Sequence, residues 1–123
     1  MRACLLAPPM FSSGIHGNDP RMQTAWEILY EHETELILTG HDHTYERFTP
    51  MTPHGEYDAW SLRQFVVGTG GRKRDFNDLE PENKSAIAGK NGILKLTLRS
   101  NAYEWEFITV DGESSDKGSQ SCR

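Results

Sequence analysis

The chain has 123 residues, enough for one domain with a modest core and few for an enzyme. A hydrophobic fraction of 36% with three tryptophans argues against disorder, and a net charge of −5 offers nothing to nucleic acid or an anionic membrane, both of which need clustered Lys and Arg. No stretch approaches the roughly 18 apolar residues of a membrane span, and residues 1–9 have too short an apolar core for an export signal. Nothing in the chain assigns it a compartment. The one basic run, Arg72-Lys73-Arg74, leads into Asp75 and an acidic loop and is expected to be a solvated turn.

Ala3 to Ala7 is a short apolar segment expected to be a buried strand ended by Pro8 and Pro9. A domain that opens inside a core strand, with no upstream strand to pair against, leads to the expectation that this sequence is part of a larger domain. Residues 10–19 form a loop rich in Ser, Gly and Asn that contains His16. Asp19 suits a helix cap and Pro20 a first helical position, where a missing N–H matters little. Met22, Ala25, Trp26, Leu29 and Tyr30 follow at helical spacing, so an amphipathic helix from Pro20 to about His32 is expected to dock on a sheet.

Leu36-Ile37-Leu38 is too short for a helix and predicts a strand buried on both faces. It stops at Gly40 and is followed by His41-Asp42-His43. Ligands collect at the C-terminal ends of strands in open α/β sheets. Side chains two apart in an extended segment share a side, so His41 and His43 are expected to face one site while Asp42 points elsewhere. Two neutral imidazoles together point to a metal; two solvated histidines on a loop are the other reading.

A polar loop is expected from there to about Arg63, at the surface. Phe65 to Val67 predicts a second short strand running into Gly68, Gly70 and Gly71, where a tight turn or close backbone approach is favoured over a phosphate cradle because no Lys-Ser or Lys-Thr pair follows. Residues 72–91 are charged and carry Gly, Pro and Asn, a mobile loop able to cover the site. Ile93 to Leu98 and Tyr103 to Val110 alternate and predict an antiparallel hairpin turned at Ser100 and Asn101, its aromatic row facing the core. From Asp111 to the end the tail is expected to be loose, ordered only where it packs. Cys4 and Cys122 permit one bridge or two free thiols.

The segment Gly40-His41-Asp42-His43 with Tyr45, Glu46 and Arg47 resembles the last metal-binding motif of the calcineurin-like metallophosphoesterases, and most of all their purple acid phosphatase-like branch. Phe11-Ser12-Ser13-Gly14, the Phe65-Val66-Val67 strand with its glycines, and the closing Gly92–Leu96 and Tyr103–Phe107 segments look like secreted members of that family in the same order. The resemblance implies an α+β fold, the C-terminal half of a two-sheet sandwich flanked by helices, occupying residues 1–123 as a partial domain whose N-terminal half is missing. It implies a metal-dependent phosphoric ester hydrolase acting on phosphomonoesters or diesters, and a secreted location for full-length relatives. Two divalent or trivalent ions of the Fe, Zn or Mn class, about 3.5 to 4 Å apart, would clamp the phosphate. His41 would bind one metal and His43 the other. His16 matches the position that protonates the leaving group as general acid, unless it is a loop histidine without a task. Asp42 would orient an imidazole or bond backbone, Glu46 and Arg47 would pair with each other, and Arg47 is a weaker candidate for touching phosphate.

Two departures stand against full activity. The family's Asp-x-His, Gly-Asp and Gly-Asn-His motifs do not occur here, and Ala7-Pro8-Pro9 stands where the family has another histidine. A catalytic zinc takes three protein ligands and a two-metal centre takes more. The lone chain is therefore expected to bind metal weakly and to be weakly active or inactive. A non-catalytic remnant or interaction module, and a small domain with one structural zinc, are the alternatives.

Overall fold

The computed structural model describes residues 1–72, 74–76 and 78–123, which leaves Lys73 of the basic run outside the described residues. The apolar run becomes β2 (Leu36–Thr39), and what lies above and below it explains the absence of alternation. Ile37 enters a cluster with Met10, Trp26, Phe48, Met51, Leu62 and Val66. Leu36 enters a second cluster, on the other face, with Tyr45, Phe65, Tyr103, Trp105 and Phe107. A strand buried on both faces has no position left for a polar side chain in its interior.

Parallel pairing joins β2 to β1 (Ala3–Leu6) on one side and to β4 (Arg63–Val67) on the other. β3 (Tyr45–Phe48) runs antiparallel to β4, and β5 (Asn83–Ile87) adds to β3, giving the order β1-β2-β4-β3-β5. The second sheet is an antiparallel meander of β6 (Gly92–Leu98), β7 (Ala102–Thr109) and β8 (Ser114–Ser121). Alternation along β7 buries Tyr103, Trp105 and Phe107 against the first sheet and turns Glu104 and Glu106 outward. Tyr45 stacks on Phe107 with ring centroids 4.1 Å apart.

One helix covers the opposite face of the first sheet, so the fold is α+β. A 3-10 turn, Pro20–Met22, is capped by the Asp19 carboxylate, which accepts from the Arg21 N–H, and leads into α1 (Gln23–Glu31). Trp26 is fully buried while Met22 and Leu29 flank it. The helix stops at Glu33, whose φ of +54° makes the left-handed turn usually given to glycine.

Several expectations need correction. β1 is an edge strand with Leu5 78% exposed, because β2 is its single partner among the described residues. Tyr30 leaves the apolar face of the helix and is exposed. The segment after the histidines is not all loop: Tyr45–Phe48 is a strand whose mixed composition follows from having a different environment on each face. The rest of that segment lies only partly at the surface: His54, Glu56, Tyr57, Ala59 and Trp60 are exposed, whereas Thr49, Pro50, Met51, Pro53 and Leu62 are buried and Met51 bridges to Tyr57 and Leu62. Within 72–91, Asn83–Ile87 forms β5. The tail does pack, through β8, by backbone pairing that its Ser-rich composition does not reveal. Cys4 and Cys122 are free thiols.

Candidate functional site: the histidine end of the first sheet

β1 and β2 run parallel and deliver their C-terminal ends to the same place, the first into the Pro8–Asp19 loop and the second into Gly40-His41-Asp42-His43. These two loops make the site. His41 has a φ of +68°, a conformation that stores about 1 kcal/mol or more in a non-glycine residue and marks a position held by its surroundings. The backbone here bends instead of running extended, so strand alternation does not set the direction of His41 relative to His43. The His41 ring lies beside that of His16, with centroids 4.4 Å apart. Both line a cleft of about 260 Å³ whose walls include Pro8, Pro9, Asp19 and Arg21. His43 is half-buried, and its carbonyl accepts from the Arg74 N–H at 3.1 Å.

Asp42 points inward. It is 1% exposed; its Oδ2 accepts from the Ser12 hydroxyl, and its Oδ1 lies 3.9 Å from His16 Nε2 with no hydrogen-bond partner. Two close approaches hold it. A Cβ on Gly14 would meet Asp42 Cγ at 2.5 Å, and one on Gly68 would meet the Asp42 carbonyl oxygen at 1.9 Å. Within the Gly68–Gly71 cluster, Gly68 is thus the place of close backbone contact, while Gly70 and Gly71 face open space.

Glu46, which sequence reasoning left as a partner of Arg47, is the hidden organiser of the site. Its side chain is fully buried on the helix side of β3. Oε1 accepts from the Ser13 N–H and from Asn83 Nδ2, each at 2.8 Å, and Oε2 lies 3.2 Å from Ser12 Oγ and 3.3 Å from Thr44 Oγ1. Ser12 has one hydroxyl proton for two carboxylates. That hydroxyl lies between them, within hydrogen-bond reach of Asp42 Oδ2 and of Glu46 Oε2. Burial pushes the Glu46 carboxyl above its ordinary range, partly opposed by hydrogen bonds from Ser13, Ser12 and Thr44. The arrangement ties the loop bearing His16 to the strand that follows His43 and to β5.

Arg47 is one residue along the strand and therefore on the other face. It is ion-paired with Asp116 of β8 at 2.8 Å and stacked over Trp105, so it neither pairs with Glu46 nor reaches the histidine cleft. Among the described residues no group of three His, Cys, Asp or Glu side chains comes together in a way that could hold a metal ion. The residues of this chain do not by themselves fit a two-metal centre. Period-2 alternation from Tyr45 to Phe48 is the signal that could have separated Glu46 from Arg47.

The comparisons agree on the fold. Purple acid phosphatase PPD1 from yellow lupin (Lupinus luteus) seeds superposes with a TM-score of 0.73 and 19% identity over 98% of this chain and 24% of its own. GAP50, described as the anchor in the inner membrane complex of Plasmodium, superposes with a TM-score of 0.80 and 16% identity over 94% of this chain and 34% of its own. In sequence the chain is 28% identical to an acid phosphatase of Aspergillus ficuum over 125 aligned positions, 84% of this chain and 20% of that protein. No protein-family model matches. The chain has the fold of the C-terminal part of a purple acid phosphatase and is similar in sequence to an acid phosphatase, and it spans about a fifth of the curated relative it matches.

Proposed function

We propose that this chain carries the histidine end of a phosphoric ester hydrolase site and does not complete that site alone. The observation behind it is the convergence of His16 and His41, ring centroids 4.4 Å apart, at the mouth of a cleft over the buried Asp42. In this reading His41 and His43 are donors toward metal, and His16, with Asp42 Oδ1 behind it, supplies the leaving-group proton. The phosphate ester is the substrate class, and the remaining donors come from residues beyond this chain, as the lengths of the relatives allow. A protein with two metal-directed donors falls short of the three that a catalytic zinc takes.

Metal content of the purified chain together with its turnover of p-nitrophenyl phosphate tests the proposal. Substoichiometric, weakly held metal with turnover near background is the expected result. Two tightly held metals with steady turnover would contradict the incompleteness. A second reading, a non-catalytic interaction module, is favoured by the absence of a three-donor cluster among the described residues and by the GAP50 neighbour. Under that reading zinc leaves every histidine resonance unchanged.

A further inference from the structure

Away from the histidines, at the start of β4, a cleft of about 490 Å³ opens between the two sheets. Arg63 and Arg47 stand in its wall, each with its guanidinium carbon 5.1 Å from the centre of the Trp105 ring. Two guanidinium groups held on one indole are close enough to repel, and one carboxylate serves them. Asp116 forms a forked contact with Arg47, at 2.8 and 3.1 Å. Arg63 is 8% exposed and its hydrogen bonds go to neutral groups, the Phe48 carbonyl at 2.9 Å and the Gln120 amide oxygen, while the charge of Asp116, paired with Arg47, also acts on it. Among the described residues no carboxylate forms an ion pair with Arg63, and Asp58 accepts from the Trp60 N–H at 3.0 Å. Two guanidinium groups served by one carboxylate leave the cleft with an excess of positive charge, which favours an incoming anion.

The rim adds a third cation and two flat apolar surfaces. Lys84 of β5 is exposed at its edge, and Tyr57 and Trp60, 66% and 56% exposed, stand in the same cleft wall. Single exposed aromatics need no explanation, but two beside a pair of guanidinium groups that share one carboxylate form a stacking surface next to a place for an anion. We propose that this cleft binds a small ligand combining a planar ring with an anionic group, of the mononucleotide class, its ring against Trp60 and Tyr57 and its phosphate between Arg63 and Lys84. The site is separate from the histidine cleft and independent of whether that cleft is catalytic.

Calorimetric titration of the chain with AMP, adenosine and inorganic phosphate tests the proposal. AMP is expected to bind with a dissociation constant below about 1 mM, more tightly than either fragment. Lys84→Ala and Trp60→Ala, both at exposed positions that leave the core intact, should each weaken it about fivefold or more. His41→Ala should leave it unchanged. AMP binding no tighter than inorganic phosphate, an unaltered affinity in Trp60→Ala, or loss of binding in His41→Ala would each overturn the proposal, the last by moving the nucleotide to the histidine cleft.

Discussion

Replacing Glu46 separates its two roles, as a hydrogen-bond acceptor and as a buried acid. In Glu46→Ala the Ser13 N–H loses its acceptor and Asn83 Nδ2 loses the shorter of its two contacts, both in a buried setting. Leaving a buried donor unsatisfied costs about 1–3 kcal/mol, so with the vacated volume a loss of about 3 kcal/mol is expected, a large part of a typical domain's stability. Glu46→Gln keeps an oxygen for both donors and should lose less than about 1 kcal/mol near pH 5. The pH dependence has a definite sign. Because burial raises this carboxyl above its ordinary value of 4.5, its contribution is fully present below that value and declines as pH rises through the raised one. Glu46→Gln has no such decline, so it should gain on the parent protein as pH increases. Urea denaturation of the three proteins from about pH 4 to about pH 8 reads both effects. A parent-minus-Gln difference that does not change with pH would refute the upward shift of the carboxyl, and an Ala variant as stable as the Gln variant would refute the acceptor role.

Three further outcomes follow from local geometry. Gly68→Ala should lose about 2–3 kcal/mol in chemical denaturation, since its Cβ would lie 1.9 Å from the Asp42 carbonyl oxygen, whereas Gly70→Ala, with open space around it, should change stability by less than about 0.5 kcal/mol. Trp26→Ala removes a fully buried ring from the helix side of the sheet and should cost about 3–5 kcal/mol by the same measurement. Glu33→Gly, at a φ of +54° after the helix, should raise the melting temperature by the equivalent of about 0.5–1 kcal/mol, and a lowered melting temperature would show that the left-handed turn is not strained there.

The legible parts of the sequence were those where one environment acts on several neighbours. Leu36 to Leu38 announced a doubly buried strand because both faces are apolar, and β6 and β7 announced a hairpin because one face is wet. β3 was hidden because its faces differ in kind: Tyr45 and Arg47 face an aromatic sheet, Glu46 a polar cluster and Phe48 the helix side. β8 was hidden because an edge strand held by backbone pairing needs little from its side chains, and Ser114 to Ser121 supply little. In the site, the tripeptide His41-Asp42-His43 marked the place, but the nearness of His16 depends on how two loops return to one sheet edge. A charged pair such as Glu46-Arg47 looks self-satisfying in sequence until the strand sends its members to opposite faces.

Zinc titration followed through the imidazole resonances tests the central claim most directly. The account predicts that the His41 and His43 signals move together, with a dissociation constant above about 10 µM because a third donor is lacking, and without turnover of p-nitrophenyl phosphate. Histidine signals indifferent to zinc, or two tightly bound zinc ions accompanied by turnover, would contradict it.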